Sequence, residues 1–182
     1  QIASKALAED PKNAAAVLLR GHVAAGRGQY GEALTAYDQA LTLDSKLRSN
    51  QRLAVNLVTA LGRVTAAVDM IRKYPVDQVI AGLKHRASEP GYATRHQAIG
   101  LLTQLGHGKD IDRVAGAIHD LNEGENCEQR LEGVKVMAKA SDKRVLPPLK
   151  KVLDAGFMDR IRNNCLWNEA EAVVAKLEPK KI

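Results

Sequence analysis

Gly28-Gln29-Tyr30-Gly31-Glu32-Ala33-Leu34-Thr35-Ala36-Tyr37-Asp38-Gln39-Ala40-Leu41 is the stretch that decides the fold. Small residues at Ala33 and Ala40 and rings at Tyr30 and Tyr37 recur at helical spacing. Just upstream, Val17, Gly21 and Ala24 follow the same period. The turn Gly26-Arg27-Gly28 separates the two runs, and Gly28 suits a helix end that needs a left-handed backbone. Two antiparallel helices follow. Gly21, Ala33 and Ala40 let them approach closely, and Tyr30 and Tyr37 fill the space beside them. The second helix is expected to stop at Asp44-Ser45.

Working outward, Ala3, Ala6, Asp10 and Pro11 fit the end of a preceding helix pair, so the chain is expected to begin inside a longer array. Downstream, helices are expected near residues 48–61 and 64–73, closed by Gly62 and Pro75. Leu53, Leu57, Val58 and Leu61 form the stripe of one; Val64, Val68 and Ile71 form that of the other. From Pro75 a second period appears. Val79, Val114 and Leu149 are spaced by 35, as are Leu83, Ile118 and Leu153, and as are Arg95 and Arg130. No alternating strand pattern occurs. Neither helix of such a unit buries its stripe alone, so stacking is the natural solution.

The Gly28–Leu41 string closely resembles a tetratricopeptide repeat, with its small, small, aromatic, aromatic signature. This copy carries Val17 where Trp is common, Arg20 where Leu is usual and Ser45 where Pro is usual. The units after Pro75, such as Ser141-Asp142-Lys143-Arg144-Val145-Leu146-Pro147-Pro148-Leu149, resemble HEAT-type repeats. The expected fold is all-α: about ten helices in antiparallel pairs forming a right-handed α-solenoid. It would run from tetratricopeptide-like helices (1–47) through a bridging hairpin (48–74) to HEAT-like repeats (75–182).

Composition narrows the function. Of 182 residues, one is Trp, one Phe and four Tyr, too few for an aromatic nucleic-acid platform. No run approaches a membrane span, and no signal peptide is visible. The formal net charge is +6, divided +4 over residues 1–90 and +2 over 91–182, with acids interleaved. The densest basic cluster is Lys139, Lys143, Arg144, Lys150 and Lys151, read as a solvated helix end over a phosphate patch. Together with Arg160 to Arg162 it carries the alternative function, nucleic-acid binding.

No phosphate loop, nucleophile elbow or metal-spaced His pair occurs among the motifs, so no catalytic residue, metal or cofactor is assigned. His22 falls on the face expected to line the concave groove, and the groove set is Leu18, His22, Ala25, Arg52 and Asn56. Cys127 and Cys165 are the only cysteines. They are read first as free thiols, with a disulfide across the last two units as the alternative in an oxidising compartment. Arg95 and Arg130 are read as a structural ladder, with Asp112 and Glu128 as nearby acid partners. Trp167 and Phe157 are read as a core cap. A hydrolase would need a buried carboxylate beside an aromatic, and only Trp167 with Glu169 or Glu171 could serve.

The stretches Glu125-Asn126-Cys127-Glu128-Gln129-Arg130, Asp142–Leu149 and Asn163-Asn164-Cys165-Leu166 are similar to the C-terminal repeat region of large bacterial serine/threonine protein kinases. The resemblance implies a non-catalytic regulatory tail that binds a protein or peptide on its concave face. It places the chain in the cytoplasm, or outside it if the parent carries a membrane span, in which case the cysteines pair. Oligomeric state is left open.

Overall fold

The computed structural model describes residues 2–156, 160–161 and 163–178. Phe157 and Arg162, two of the residues singled out above, lie outside them. Among the described residues the chain is all-α: eleven α-helices and no strand. They are α1 (Ile2–Glu9), α2 (Ala14–Gly26), α3 (Tyr30–Leu43), α4 (Gln51–Ala60), α5 (Ala66–Lys73), α6 (Asp77–Arg86), α7 (Tyr92–Gln104), α8 (Arg113–Glu123), α9 (Cys127–Lys139), α10 (Leu146–Leu153) and α11 (Trp167–Leu177).

Four helix starts share one device. Asn13, Asn50, Asp112 and Asn126 each accept a hydrogen bond from the backbone amide three residues on, at 2.9–3.1 Å. Each satisfies one of the amide donors that a helix leaves unpaired at its N-terminus. Residues 48 and 49, expected to start a helix, instead end a 3-10 turn over Ser45–Ser49. Asn50 cannot cap α4 and be inside it, so α4 begins at Gln51.

The chain divides into two compact units. The first runs to Arg86 and takes in Gln97–Lys109; the second is Ala87–His96 with the chain from Asp110 onward. Helix α7 contributes to both.

In the first unit, α2 and α3 form the expected hairpin. Gly28 has φ +74°, the left-handed backbone its turn needs. A Cβ on Gly21 would come 2.5 Å from Tyr37 Cε1 and 3.3 Å from the Ala33 carbonyl oxygen, so only glycine permits this spacing. Val17, Tyr37, Ala40, Leu53, Leu57 and Ile71 are at most 1 % exposed and form the heart of the core.

In the second unit, α8 and α9 repeat the arrangement. A Cβ on Gly133 would sit 2.7 Å from the Ala117 carbonyl oxygen. Val134, Met137, Val145, Leu149, Leu166 and Ala170 are fully buried between α9, α10 and α11. The 35-residue offset follows burial: Val79, Val114 and Leu149 are all buried.

Candidate functional site

In the first unit the expected groove residues separate into two groups. Leu18, His22 and Ala25 are buried, Asn56 is half-buried and Arg52 is exposed. Burial of His22 follows from a polar network of three side chains. Asn56 Nδ2 donates to the Tyr37 hydroxyl at 2.6 Å, and the hydroxyl lies 2.9 Å from His22 Nδ1. An amide nitrogen only donates, so the tyrosine oxygen accepts from Asn56 and shares a second hydrogen bond with His22 Nδ1. Burial first, and then the nearby Arg52 charge, holds His22 below its ordinary value. Burial likewise raises Tyr37.

The solvent-facing stripe of α2 is instead Ala15, Leu19, Val23 and Gly26. Leu19 is 39 % and Val23 45 % exposed, and Val55 on α4 is 56 % exposed. Val23 and Val55 each adjoin a member of the His22–Asn56 contact, and Arg52 lies one turn before Asn56. Neither α2 nor α4 contains an Asp or Glu. The first unit holds thirteen Lys and Arg against seven Asp and Glu, a net +6. The second holds fourteen of each and is neutral. Sequence reasoning missed Leu19, Val23 and Val55 because a helical stripe reads alike whichever way it faces.

The second unit holds a charged network. Arg95 is fully buried. Its Nε donates to Asp120 Oδ1 at 2.9 Å, and its Nη1 to the Glu89 carbonyl at 2.7 Å and to Glu123 Oε2 at 3.2 Å. Asp120 Oδ2 is 3.0 Å from His96 Nε2, and Glu123 Oε1 is 2.6 Å from His119 Nδ1. The Gly91 amide donates to Glu123 at 2.8 Å. Burial pushes Glu123 up, but the bonds from Gly91, His119 and Arg95 outweigh it and hold the carboxyl below its ordinary range. Tyr92 donates to Glu132 at 2.9 Å and is pushed up to about 12, by burial first and then by that bond.

Arg95 thus pairs with acids as expected, but the acids are Asp120 and Glu123. Asp112, one of the expected partners, holds Arg144 instead, at 2.7 Å. The bond from Arg144 keeps Asp112 below its ordinary range. Arg130 donates to Asn163 Oδ1 at 2.9 Å. The expected partners were chosen by closeness in sequence, whereas helix pairing brings the far end of α8 to the start of α7.

Within the basic cluster, Arg144 pairs with Asp112 and Asp142, and Lys150 with Glu178. Trp167 is half-buried beneath the Arg160 guanidinium, 4.1 Å from its ring centroid. Glu169 and Glu171 are exposed, which removes the buried carboxylate a hydrolase site would need there. Among the described residues no group of three or more His, Cys, Asp or Glu could hold a metal ion. No helix there is long and apolar enough to cross a membrane.

The cysteines correct the first reading: Cys127 and Cys165 form a disulfide, with Cα atoms 6.4 Å apart. Thirty-eight residues separate them in sequence, so only the packing of the last helices reveals their closeness.

No protein-family model matches the chain, and no curated protein and no solved structure matches it.

Proposed function

We propose that the chain is a non-catalytic docking module whose first unit binds an extended protein segment across α2 and α4. The observation that carries this is the exposed set Leu19, Val23 and Val55 beside Arg52, on two helices without a carboxylate. Exposed aliphatic side chains in a group mark interaction surfaces more often than scattered ones do. The +6 charge of that unit favours a segment carrying aliphatic side chains and carboxylates. Leu18, His22 and Ala25 of the same helix are buried and take no part in this face. On the sequence resemblance alone, the module recruits partners for a larger bacterial signalling protein. Charge balance in the second unit weighs against the nucleic-acid alternative.

A random-peptide display library panned on the chain tests the proposal. Enriched peptides should be rich in Leu, Val, Asp and Glu. They should be lost on a Val23→Glu/Val55→Glu variant of unchanged melting temperature. Peptides that bind the variant equally well would refute this face; absence of any enriched peptide would refute the module.

A further inference from the structure

The disulfide sits where it can act on one helix. Cys127 is the first residue of α9 and half-buried, while Cys165 is exposed and lies two residues before α11. Helix α11 is otherwise held by a short apolar contact. Leu166, Ala170 and Val173 are buried against α9 and α10, and Val174 and Leu177 pack partly buried against the same core. Two polar ties at the rim add to them: Lys176 donates to the Ala138 carbonyl at 3.3 Å, and Lys150 pairs with Glu178 at 2.6 Å. Apart from these, the outward face of the helix is solvated.

We propose that the Cys127–Cys165 bond is a redox-sensitive strap that fixes α11 on the second unit and is opened by a dithiol. The two sulfurs are unequal in the way that exchange requires. Exposed Cys165 Sγ is open to an incoming thiolate. Cys127 is then the leaving sulfur, and the partial positive charge at the α9 N-terminus stabilises the thiolate it becomes. A better-stabilised leaving thiolate departs faster. In the first step the thiolate of the dithiol bonds to Cys165 Sγ, the Cys127–Cys165 bond breaks, and its electron pair goes to Cys127. In the second step the other thiol of the dithiol attacks the mixed disulfide. Cys165 is released and the dithiol closes to its own disulfide. Two electrons and two protons pass from the dithiol to the two cysteines. With the bond gone, α11 keeps the buried Leu166, Ala170 and Val173, the partly buried Val174 and Leu177 and the two rim ties, and it opens before the rest of the unit.

Alkylation with iodoacetamide and amide hydrogen exchange test this on the full chain, with and without dithiothreitol. Without reductant no cysteine should be alkylated; with it, both should be. Exchange across Trp167–Leu177 should quicken by up to about several hundredfold on reduction, the scale of a bond that closes a loop of this length. The amides of α8 and α9 should stay protected. A Cys127→Ser/Cys165→Ser variant should match the reduced protein without any reductant. Alkylation of both thiols before reduction would overturn the proposal. So would unchanged exchange in α11, or equal loss of protection in α8, α9 and α11, which would make the bond a staple of the whole unit.

Discussion

The two units each bury polar side chains between helices, and they do it in opposite ways. The first buries His22 and Tyr37, which share hydrogen bonds with the half-buried Asn56 in a trio without a formal charge. The second buries charge: Arg95 has no exposed surface and is held by Asp120 and Glu123. A neutral network loses only the hydrogen bonds it fails to make. An ionic one, once broken, leaves a charge stranded away from water, so its partners are bound to each other far more strictly. The first unit keeps its net charge outside, where a partner can meet it; the second cancels its charge internally.

The sharpest way to break the comparison is Asp120→Ala. It strands Arg95 and should cost ~3–5 kcal/mol in urea unfolding. An Arg95→Met/Asp120→Leu pair should recover much of that loss, because it removes both charges. If the single variant loses less than about 1 kcal/mol, the range of an ordinary net hydrogen bond, the Arg95 network is not the ionic keystone described. Tyr37→Phe should cost less, about 1–2 kcal/mol, because the ring stays and only the shared hydroxyl is lost. Equal losses in the two variants would erase the distinction between the units.

The smallest effect comes from protons. His22 is held below its ordinary value in the folded chain, so the unfolded chain takes up the proton first as pH falls. Its stabilising contribution is therefore full above a pH of ~6.5 and declines below it. Amides of α2 and α3 should exchange faster at pH 5.5 than at 7.5, after correction for the intrinsic rate. Arg52→Gln should reduce the difference, because the Arg52 charge is part of what disfavours the proton. A difference unaffected by Arg52→Gln would leave burial as the whole cause.

Much of the fold was legible in the sequence. The α2–α3 hairpin, the close approach at Gly21, the left-handed Gly28 and the buried series Val79, Val114 and Leu149 all follow from spacing and residue size. The candidate site was legible only in part. Arg52 and Asn56 stand at a surface, but Leu18, His22 and Ala25 do not, and Leu19, Val23 and Val55 take the exposed place. A rotation of about 100° around the helix separates one residue from the next, so a stripe assigned one residue away faces a different neighbour.

The sequence by itself determined that the chain is helical and where the helices before Pro75 stop. It also determined that the net charge is +6 and that small residues must meet at the hairpin. Those properties are set by backbone preference, side-chain size and composition, which act within a few residues. Only the tertiary structure decided that Arg95 meets Asp120, that His22 is buried against Tyr37, and that Cys127 meets Cys165 across 38 residues. Such meetings depend on which helix faces lie together in space, and residue spacing along the chain does not specify them.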